Sequence, residues 1–329
     1  MKAIVYHNYG SPDVLKCEEI EKPVPADDEV LIKVRAASVN PVDRLFRGTS
    51  YLVRLLVTGL LKPKDIRVGT DVAGQVEAVG RSVTDFKPGD EVFGGCRGAF
   101  AEYARGSHSK LALKPVNVTF EQAASVPVAA LTALQGLRDK GKIQPGQKVL
   151  INGAAGGVGT FAVQIAKSFG ADVTGVCSTK NVDMVRSIGA DQVIDYTQQN
   201  FTKSGQHYDM ILDLAGTHSF AACRQVLNPK GVFVLAGMVA RPPKLWIFMT
   251  CALKGHVLSW FVSQKFVMFI ARLNKEDLTI MGELIAARKV TPVIDKRYSL
   301  SEVPEAIRYL EEGHTRGKVV ITLESNNKT

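Results

Sequence analysis

Three glycines stand at equal spacing between two patterned segments. Gly153, Gly156 and Gly159 follow the apolar run 149–152, and the residues after them place apolar side chains at the spacing of a helix packed on a sheet. Glycines permit a tight turn and close backbone approach to a pyrophosphate, and the helix N-terminus offers free N–H groups. This strand, loop and helix pattern predicts a dinucleotide site; the alternative is a tight turn that binds nothing.

The end of the next strand-like run, 172–177, bears on the choice between NAD and NADPH. A site that prefers NAD places Asp or Glu about 20 residues beyond the loop, where it holds the ribose 2′-hydroxyl. This chain has Ser178 and Lys180 there. Because charge-assisted hydrogen bonds favour an anion at such a position, we predict NADPH with its 2′-phosphate on these two residues. The alternative is an ordinary polar loop.

Two patterns of elements position these residues. Up to about residue 122, short runs alternate apolar and polar residues between Pro and Gly turns, which is typical of antiparallel strands in a β-rich barrel. Beyond it, helical stretches alternate with strand-like runs, and such alternation requires a parallel sheet. The predicted strands of that sheet are 149–152, 172–177, 192–194, 210–214 and 232–236. The predicted helices after 180 are 182–188, 220–227 and 278–287, and a last strand is predicted at 318–322.

Composition limits the class of protein. The chain has 329 residues, of which 46% are hydrophobic and 22% charged, and this excludes a disordered, collagen-like or disulfide-stapled protein. Its net charge of +9 is scattered, so it favours anionic small molecules, nucleic acid or an acidic membrane surface without choosing among them. Five dispersed cysteines argue against a structural zinc and suit a reducing compartment. Met1 opens no signal-peptide pattern, so we predict a cytoplasmic protein.

Two apolar stretches invite a membrane interpretation. The first, 51–61, is too short to span a bilayer, and charged or polar residues interrupt the second, 245–273. We predict no transmembrane segment. A pocket wall, an interface and a peripheral membrane patch remain open for both stretches.

The whole chain resembles the zinc-independent quinone oxidoreductases, the zeta-crystallin-like branch of the medium-chain dehydrogenase/reductase superfamily. The segments that carry the resemblance lie in order along the chain, at 38–43, 69–74, 87–90, 127–132, 146–150, 154–157 and 317–320. The resemblance implies a GroES-like domain formed by residues 1–122 and 263–329. It also implies an α/β Rossmann domain with a parallel, doubly wound sheet at 123–262, and a homodimer.

Zinc alcohol dehydrogenases share this architecture, so the architecture alone does not decide whether this chain binds zinc. The resemblance implies that their zinc is held by a Cys, a His-Glu pair and a later Cys or Asp. In the matching places this chain has Asn40 and Asp71-Val72, and the segment 93–102 holds only Cys96. We therefore predict no metal site.

The resemblance also implies roles for single residues. Asn40 is expected to contact the nicotinamide or the substrate oxygen, Tyr51 to bind that oxygen and donate a proton, and Asp43 to be a second polar pocket residue. The alternatives are a packed or exposed loop tyrosine for Tyr51 and a surface salt bridge for Asp43. Position 45, a tyrosine in many relatives, is leucine here, so protonation by solvent also stays open. The predicted cofactor contacts are Asn40, Thr132, Ala155, Gly156, Gly157, Val158, Ser178, Lys180, Tyr196, Leu214, Gly237, Met238 and Lys318.

These expectations combine into one predicted reaction. Without a metal to polarise a carbonyl, the suitable hydride acceptors are already electrophilic, and preorganised donors would stabilise the charge that develops on oxygen. We predict NADPH-dependent hydride transfer to quinones or α,β-unsaturated carbonyls, as in an alkenal reductase. Two alternatives remain: a nicotinamide-binding protein without activity, including an RNA-binding crystallin-like one, and an NAD(P)-dependent alcohol dehydrogenase.

Overall fold

The structure, a computed structural model, describes residues 1–46, 62–236 and 263–323. Two compact units divide the chain. The first contains residues 1–129, 273–288 and 292–329, and the second contains 130–272 and 289–291. Residues 123–129 thus group with the first unit and 263–272 with the second, which differs from the boundaries expected from the resemblance.

The described strands are β1 Lys2–Val5, β2 Lys16–Glu19, β3 Glu29–Val39, β4 Asp71–Val79, β5 Glu91–Gly95, β6 Tyr103–Ser107, β7 Leu111–Leu113, β8 Lys148–Asn152, β9 Asp172–Cys177, β10 Gln192–Asp195, β11 Tyr208–Asp213, β12 Leu227–Leu235, β13 Lys265–Met268, β14 Ile294–Ser299 and β15 Lys318–Thr322. The described α-helices are α1 Pro41–Phe46, α2 Phe120–Ala124, α3 Pro127–Leu134, α4 Gly157–Ser168, α5 Val182–Ser187, α6 Phe220–Arg224, α7 Lys275–Ala286 and α8 Val303–Glu311.

The first unit is β-rich, as its alternating pattern predicts. A seven-stranded sheet runs in the order β14-β15-β3-β4-β5-β7, with β6 paired to β3. Apolar side chains from several of these strands, among them Ile32, Val72, Val92 and Ile321, are buried together in one core. Strands β1 and β2 form a separate antiparallel pair.

The register around β3 brings the ends of three strands together. Strand β3 is antiparallel to β4 and to β15, with Ser38 opposite Asp71 and Val39 opposite Val319. The last residues of β3 therefore lie beside the first residues of both neighbours. This register places residues 38–40, 71 and 318 close together, although they are far apart in the sequence.

The second unit contains the predicted parallel sheet. Its strand order is β10-β9-β8-β11-β12-β13, and every neighbouring pair is parallel. The order reverses at β8, so the carboxyl ends of β8, β9 and β11 meet at a topological switch point, where ligands of such sheets bind. The α/β Rossmann and β-rich fold class is confirmed.

Two elements of the second unit differ from the prediction. The helix predicted at 220–227 ends at Arg224, and Leu227 already belongs to β12. Strand β13 at the sheet edge lies inside the apolar stretch 245–273, where no strand was predicted. Its side chains are half-buried or exposed, so no strong alternating pattern marks it. None of the helices within the described ranges has the length and apolar character that a membrane crossing needs.

Candidate active site

The glycine loop joins β8 to α4 and is built from backbone contacts. Gly153 has a φ of 90°, a conformation that side chains disfavour. The N–H groups of Gly153 and Ala154 both donate to the Val176 carbonyl oxygen, at 3.1 and 3.0 Å, and so attach the loop to β9. A Cβ on Gly159 would lie 2.1 Å from the Gly153 carbonyl oxygen, so the first turn of α4 fits against the loop only with glycine there.

The predicted phosphate contacts lie where this helix begins. Gly156 caps α4 with an extended conformation, and Gly157 and Val158 form its first turn. All three are half-buried, whereas Ala155 is buried. The first N–H groups of a helix have no partner within the helix and carry the positive end of its dipole. The loop geometry therefore fits a pyrophosphate.

The predicted 2′-phosphate residues lie at the carboxyl ends of β9 and β10. Ser178 follows β9, and its Oγ accepts a hydrogen bond from Asn181 Nδ2 at 3.2 Å. Lys180 is exposed in the short turn that follows. Tyr196 follows β10, its N–H donates to the Cys177 carbonyl oxygen at 2.9 Å, and its side chain is 58% exposed. The structure thus brings the three residues to one edge of the sheet.

Asp195 is a neighbour that the sequence analysis missed. Its carboxylate accepts hydrogen bonds from Thr179 Oγ1 at 2.6 Å and from the N–H and Oγ1 of Thr197, at 2.9 and 2.8 Å. The bond from Thr179 is the main cause that lowers the pKa of Asp195. The carboxylate is therefore held ionised by local partners. The parallel pairing of Asp195 with Cys177 places it at this edge.

A buried carboxylate holds the loop after β11. Asp213 Oδ1 accepts from Asn152 Nδ2 at 2.9 Å and from the N–H groups of Ala215 and Gly216, at 3.1 and 2.9 Å. Its Oδ2 is buried and has no hydrogen-bond partner within the described part of the chain, and burial raises its pKa. Leu214, a predicted cofactor contact, is half-buried in this loop, and its N–H donates to the Asn152 carbonyl oxygen at 3.0 Å.

The remaining predicted residues of the second unit have separate outcomes. Thr132 is buried, 9% exposed, on α3. Gly237 and Met238 lie outside the described residues. So does Tyr51 in the first unit.

Where β3, β4 and β15 meet, the first unit buries a polar cluster that we call the carboxamide cluster: Asn40, Asp71 and Lys318. Asn40 Nδ2 donates to Asp71 Oδ2 at 2.8 Å, and Lys318 Nζ donates to Asn40 Oδ1 at 2.5 Å. Lys318 Nζ also lies 3.5 Å from Asp71 Oδ2. All three side chains are buried, at 2%, 0% and 3% exposure. Burial raises the pKa of Asp71 and lowers that of Lys318, although each charge counteracts the shift of the other.

Two more groups donate hydrogen bonds to Asp71. Ser38 Oγ donates to Asp71 Oδ2 at 2.9 Å, and the Val128 N–H donates to Asp71 Oδ1 at 3.1 Å. Burying a carboxylate is expensive unless it is paired and hydrogen-bonded, and Asp71 meets both conditions. From the sequence, Asp71 is only a mismatch to a zinc ligand, and its link to Lys318 is not predicted. Strand register alone reveals that link.

Asp43 lies next to this cluster. Its Oδ2 accepts from the Asn40 N–H at 2.7 Å, and its Oδ1 accepts from Thr70 Oγ1 at 3.2 Å. The side chain is fully buried, so the alternative of a surface salt bridge is wrong. Burial raises the pKa of Asp43 from 3.8 to about 7, with the Asn40 N–H opposing the rise. The structure therefore places Asn40, Asp43 and Lys318 of the predicted set together in the first unit.

Family profiles match both parts of the chain. The alcohol dehydrogenase GroES-like domain matches residues 26–116, and the domain described as zinc-binding dehydrogenase matches residues 188–321. A 2-methylene-furan-3-one reductase of Solanum lycopersicum is 36% identical, over 98% of this chain and 79% of its own length. A chloroplast envelope quinone oxidoreductase homologue of Arabidopsis thaliana is 32% identical over 98% of both chains. The chain belongs to the quinone oxidoreductase family of the medium-chain dehydrogenase/reductase superfamily.

Solved structures of this family agree with the fold. The quinone oxidoreductase from Coxiella burnetii has a TM-score of 0.84 at 30% identity, over 98% of this chain and 99% of that one. The Escherichia coli quinone oxidoreductase complexed with NADPH has a TM-score of 0.80 at 25% identity, over 98% and 100% of the two chains. The resemblance seen in the sequence is confirmed.

The resemblance implies that the carboxamide cluster matches the zinc-ligand positions of zinc alcohol dehydrogenases. Asn40 and Asp71 occupy positions expected of zinc ligands, yet the donors here are a carboxamide and a carboxylate already bound to an ammonium. A divalent cation beside Lys318 Nζ would be repelled and would compete for the same two oxygens. Across the described ranges, no group of three His, Cys, Asp or Glu side chains is arranged to hold a metal. The residues present do not fit a catalytic zinc ion.

Proposed function

We propose that this chain is an NADPH-dependent reductase that transfers hydride to quinones or α,β-unsaturated carbonyls. One observation carries the proposal: the strand, glycine loop and helix unit offers a pyrophosphate cradle, and Ser178 and Lys180 after the next strand offer a hydroxyl and an ammonium group to a 2′-phosphate. Relatives named NADPH-dependent alkenal/one oxidoreductase, 35% identical, and 2-methylene-furan-3-one reductase support the substrate class.

The proposed reaction needs no metal. The support is the buried ammonium of Lys318, which binds the two oxygens that a metal would need. Without a Lewis acid, an isolated carbonyl stays a poor hydride acceptor, whereas a quinone or an enone is electrophilic on its own. This difference favours reduction of such acceptors over alcohol oxidation.

Each part of the site has a proposed task. The N-terminus of α4, with Ala155, Gly156, Gly157 and Val158, binds the pyrophosphate, and Ser178, Lys180 and Tyr196 bind the adenosine end. Bound NADPH supplies the hydride from its nicotinamide ring. Thr132, Leu214, Gly237 and Met238 are proposed around the nicotinamide riboside.

The proposed catalytic residues differ in what they can offer. Asn40 donates through Nδ2 to Asp71 and, at 3.3 Å, to the Ser38 carbonyl oxygen. Among the described residues, Asn40 Oδ1 accepts from Lys318 and keeps a second lone pair, so Asn40 is better suited to accept a hydrogen bond from the nicotinamide carboxamide than to donate one to a substrate oxygen. Tyr51 is proposed to bind that oxygen. Asp43, with a pKa near neutrality, is proposed to hold a proton beside Asn40.

Kinetics with purified protein test the proposal. We expect oxidation of NADPH, in preference to NADH, when a 1,4-quinone or a 2-alkenal is added, and unchanged rates after treatment with a chelator. NADPH binding without turnover on either acceptor class would overturn the proposal in favour of a non-enzymatic nicotinamide-binding protein. Alcohol oxidation that a chelator abolishes would overturn it in favour of a zinc alcohol dehydrogenase.

Assembly and location are further proposals. We propose a homodimer in the cytoplasm: the family resemblance supports the dimer, and the five dispersed cysteines suit a reducing compartment. Several relatives are named as chloroplastic or mitochondrial proteins. Light scattering on the purified chain and microscopy of the tagged full chain test the two points.

A further inference from the structure

The orientation of the Asn40 carboxamide is fixed from both ends. Lys318 Nζ lies 2.5 Å from Asn40 Oδ1, and in its charged form it donates hydrogen bonds and cannot accept them. Asp71 Oδ2 lies 2.8 Å from Asn40 Nδ2, and in its ionised form it accepts hydrogen bonds and cannot donate them. A flipped amide would place its oxygen against a carboxylate and its NH₂ against an ammonium. One orientation therefore satisfies both neighbours, and the other satisfies neither.

The two charged neighbours of Asn40 are buried, and for such pairs the free-energy cost of removing the charges from water can exceed the gain from their mutual attraction. Asp71 is fully buried and Lys318 is 3% exposed. Buried ion pairs can often be replaced by apolar residues without loss of stability, so stability alone gives this fold no reason for the pair. The contacts with Asn40 give a reason for the pair, because both charged groups bind the side chain that is proposed to face the nicotinamide.

We propose that Asp71 and Lys318 are positioning residues that hold the Asn40 carboxamide in the single orientation that the reaction requires. The inference rests on the proposed function, because it assigns the pair a role through Asn40. Neither side chain needs to touch the substrate. The pair keeps the Asn40 oxygen directed as an acceptor and its NH₂ group occupied.

The chain offers a matched control. Ser38 Oγ donates its hydrogen bond to the same Asp71 oxygen, at 2.9 Å, and is equally buried, whereas Asn40 Nδ2 donates to the Ser38 carbonyl oxygen and not to this hydroxyl. Ser38→Ala removes a buried hydrogen bond from Asp71 and leaves the contacts of Asp71 and Lys318 with Asn40 in place. Ser38→Ala therefore distinguishes a general loss of packing around Asp71 from a loss of the Asn40 carboxamide orientation.

The test compares Asp71→Asn/Lys318→Met with the wild type and with Ser38→Ala. The double variant removes both buried charges, so a purely structural role predicts full activity in a stable protein. We expect instead that kcat falls roughly 10-fold to 100-fold, as for a misplaced positioning contact. The Kd for NADPH should stay within about threefold, because Lys318 binds Asn40 and Asp71 in this proposal and other residues bind the phosphates of the cofactor. Ser38→Ala should keep kcat within about twofold.

A second readout does not depend on turnover. In ¹⁵N NMR spectra, the Asn40 side-chain NH₂ resonances, assigned through Asn40→Ser, should be the same in the wild type and in Ser38→Ala and should shift in the double variant. Wild-type kcat in a folded double variant, or unshifted Asn40 resonances, would overturn the inference. If the wild type itself shows no turnover, the proposed function fails, and the NMR comparison still decides the positioning role.

Discussion

The glycine loop and the carboxamide cluster both lie at strand ends, but the loop depends on backbone and the cluster on side chains. The loop after β8 depends on missing side chains: a Cβ on Gly159 would meet backbone at 2.1 Å. The cluster at the ends of β3, β4 and β15 depends on charged side chains that are almost fully buried. The loop is therefore sensitive to volume, and the cluster is sensitive to charge.

The two regions also differ in how each is tied to its sheet. Backbone N–H groups attach the loop to β9 through the Val176 carbonyl oxygen. In the cluster, side chains make the links, since Lys318, Asn40 and Asp71 join three strands. A change of side chain should consequently alter the cluster through electrostatics at constant shape, whereas in the loop it should act through steric conflict.

The largest expected effect comes from removing one charge of the cluster. Lys318→Met leaves the Asp71 carboxylate buried without its cation. We expect a loss of about 3–5 kcal/mol in the free energy of unfolding, the usual cost of breaking a buried pair from one side. Urea unfolding at neutral pH measures it.

The double variant Asp71→Asn/Lys318→Met is the control for that loss. It removes both charges, so we expect most of the lost stability to return. Equal destabilisation by the single and the double variant would show that volume, and not charge, governs the cluster, and the contrast with the loop would disappear.

A second effect, at Asp43 beside the cluster, depends on pH. Asp43 has a pKa of about 7 in the folded chain against 3.8 for the free group, so the folded state holds its proton through that window while the unfolded state has lost it. Asp43 therefore makes stability fall as pH rises from about 4 to about 7, with no further change above. Asp43→Asn removes this slope. At about 1.4 kcal/mol per pKa unit, the variant should gain up to roughly 4 kcal/mol relative to the wild type across the window.

Urea unfolding at pH 5 and pH 8 spans about two pKa units of this window, so the gain between these two pH values should be roughly 2.7 kcal/mol, and Asp191 provides the control. Although burial acts to raise it, hydrogen bonds from Lys167 and from the Val173 N–H lower the pKa of Asp191 overall. Asp191 is thus ionised in both states above pH 5. The stability difference between Asp191→Asn and the wild type should not change over the same interval. A pH-independent difference for Asp43→Asn would show that its carboxyl is not perturbed.

The loop could be predicted from the sequence, and the cluster could not. Gly153, Gly156 and Gly159 lie within seven residues of each other, next to a strand and a helix with clear periodicity. Local spacing therefore carried the information. The positions of Ser178 and Lys180 could equally be predicted from the sequence, because the two residues come directly after β9.

The cluster depends on distant residues and on register. Asn40 and Lys318 are separated by 278 positions, and only the pairing of Val39 with Val319 brings them together. A shift of one residue would point these side chains to the other face of the sheet. The resemblance indicated Asn40, Asp43 and Lys318 as site residues, but it gave no means to see that Asp71 and Lys318 bind Asn40.

In the loop, the third largest effect should be steric. Gly159→Ala places a Cβ against the Gly153 carbonyl oxygen at 2.1 Å and the Ala154 carbonyl carbon at 2.7 Å, neither of which can move alone. We expect a loss of roughly 3 kcal/mol or more in the free energy of unfolding. Gly156→Ala is the matched change: its φ is −80°, and its Cβ would meet only Gly153 O, at 3.5 Å.

Gly156→Ala should therefore leave the unfolding midpoint almost unchanged while weakening NADPH binding, because the added methyl group lies at the predicted pyrophosphate site. Thermal unfolding and a fluorescence titration with NADPH separate the two variants. Similar midpoints for Gly159→Ala and Gly156→Ala would contradict the assignment of close packing to Gly159 alone.

The smallest expected effect tests whether charge matters at all on the loop side of the comparison. Lys180 is exposed, so water and salt screen its attraction for a phosphate. Lys180→Ala should weaken NADPH binding by about 1 kcal/mol, near fivefold, and should leave NADH binding unchanged. Lys203→Ala removes an equally exposed lysine of the same unit and should affect neither cofactor. Titrations of both cofactors at low and high salt measure the effect, which should shrink as salt rises. An equal loss of affinity for NADH and NADPH would show that Lys180 does not contact the 2′-phosphate. Cofactor recognition by the second unit would then rest on the backbone of the glycine loop.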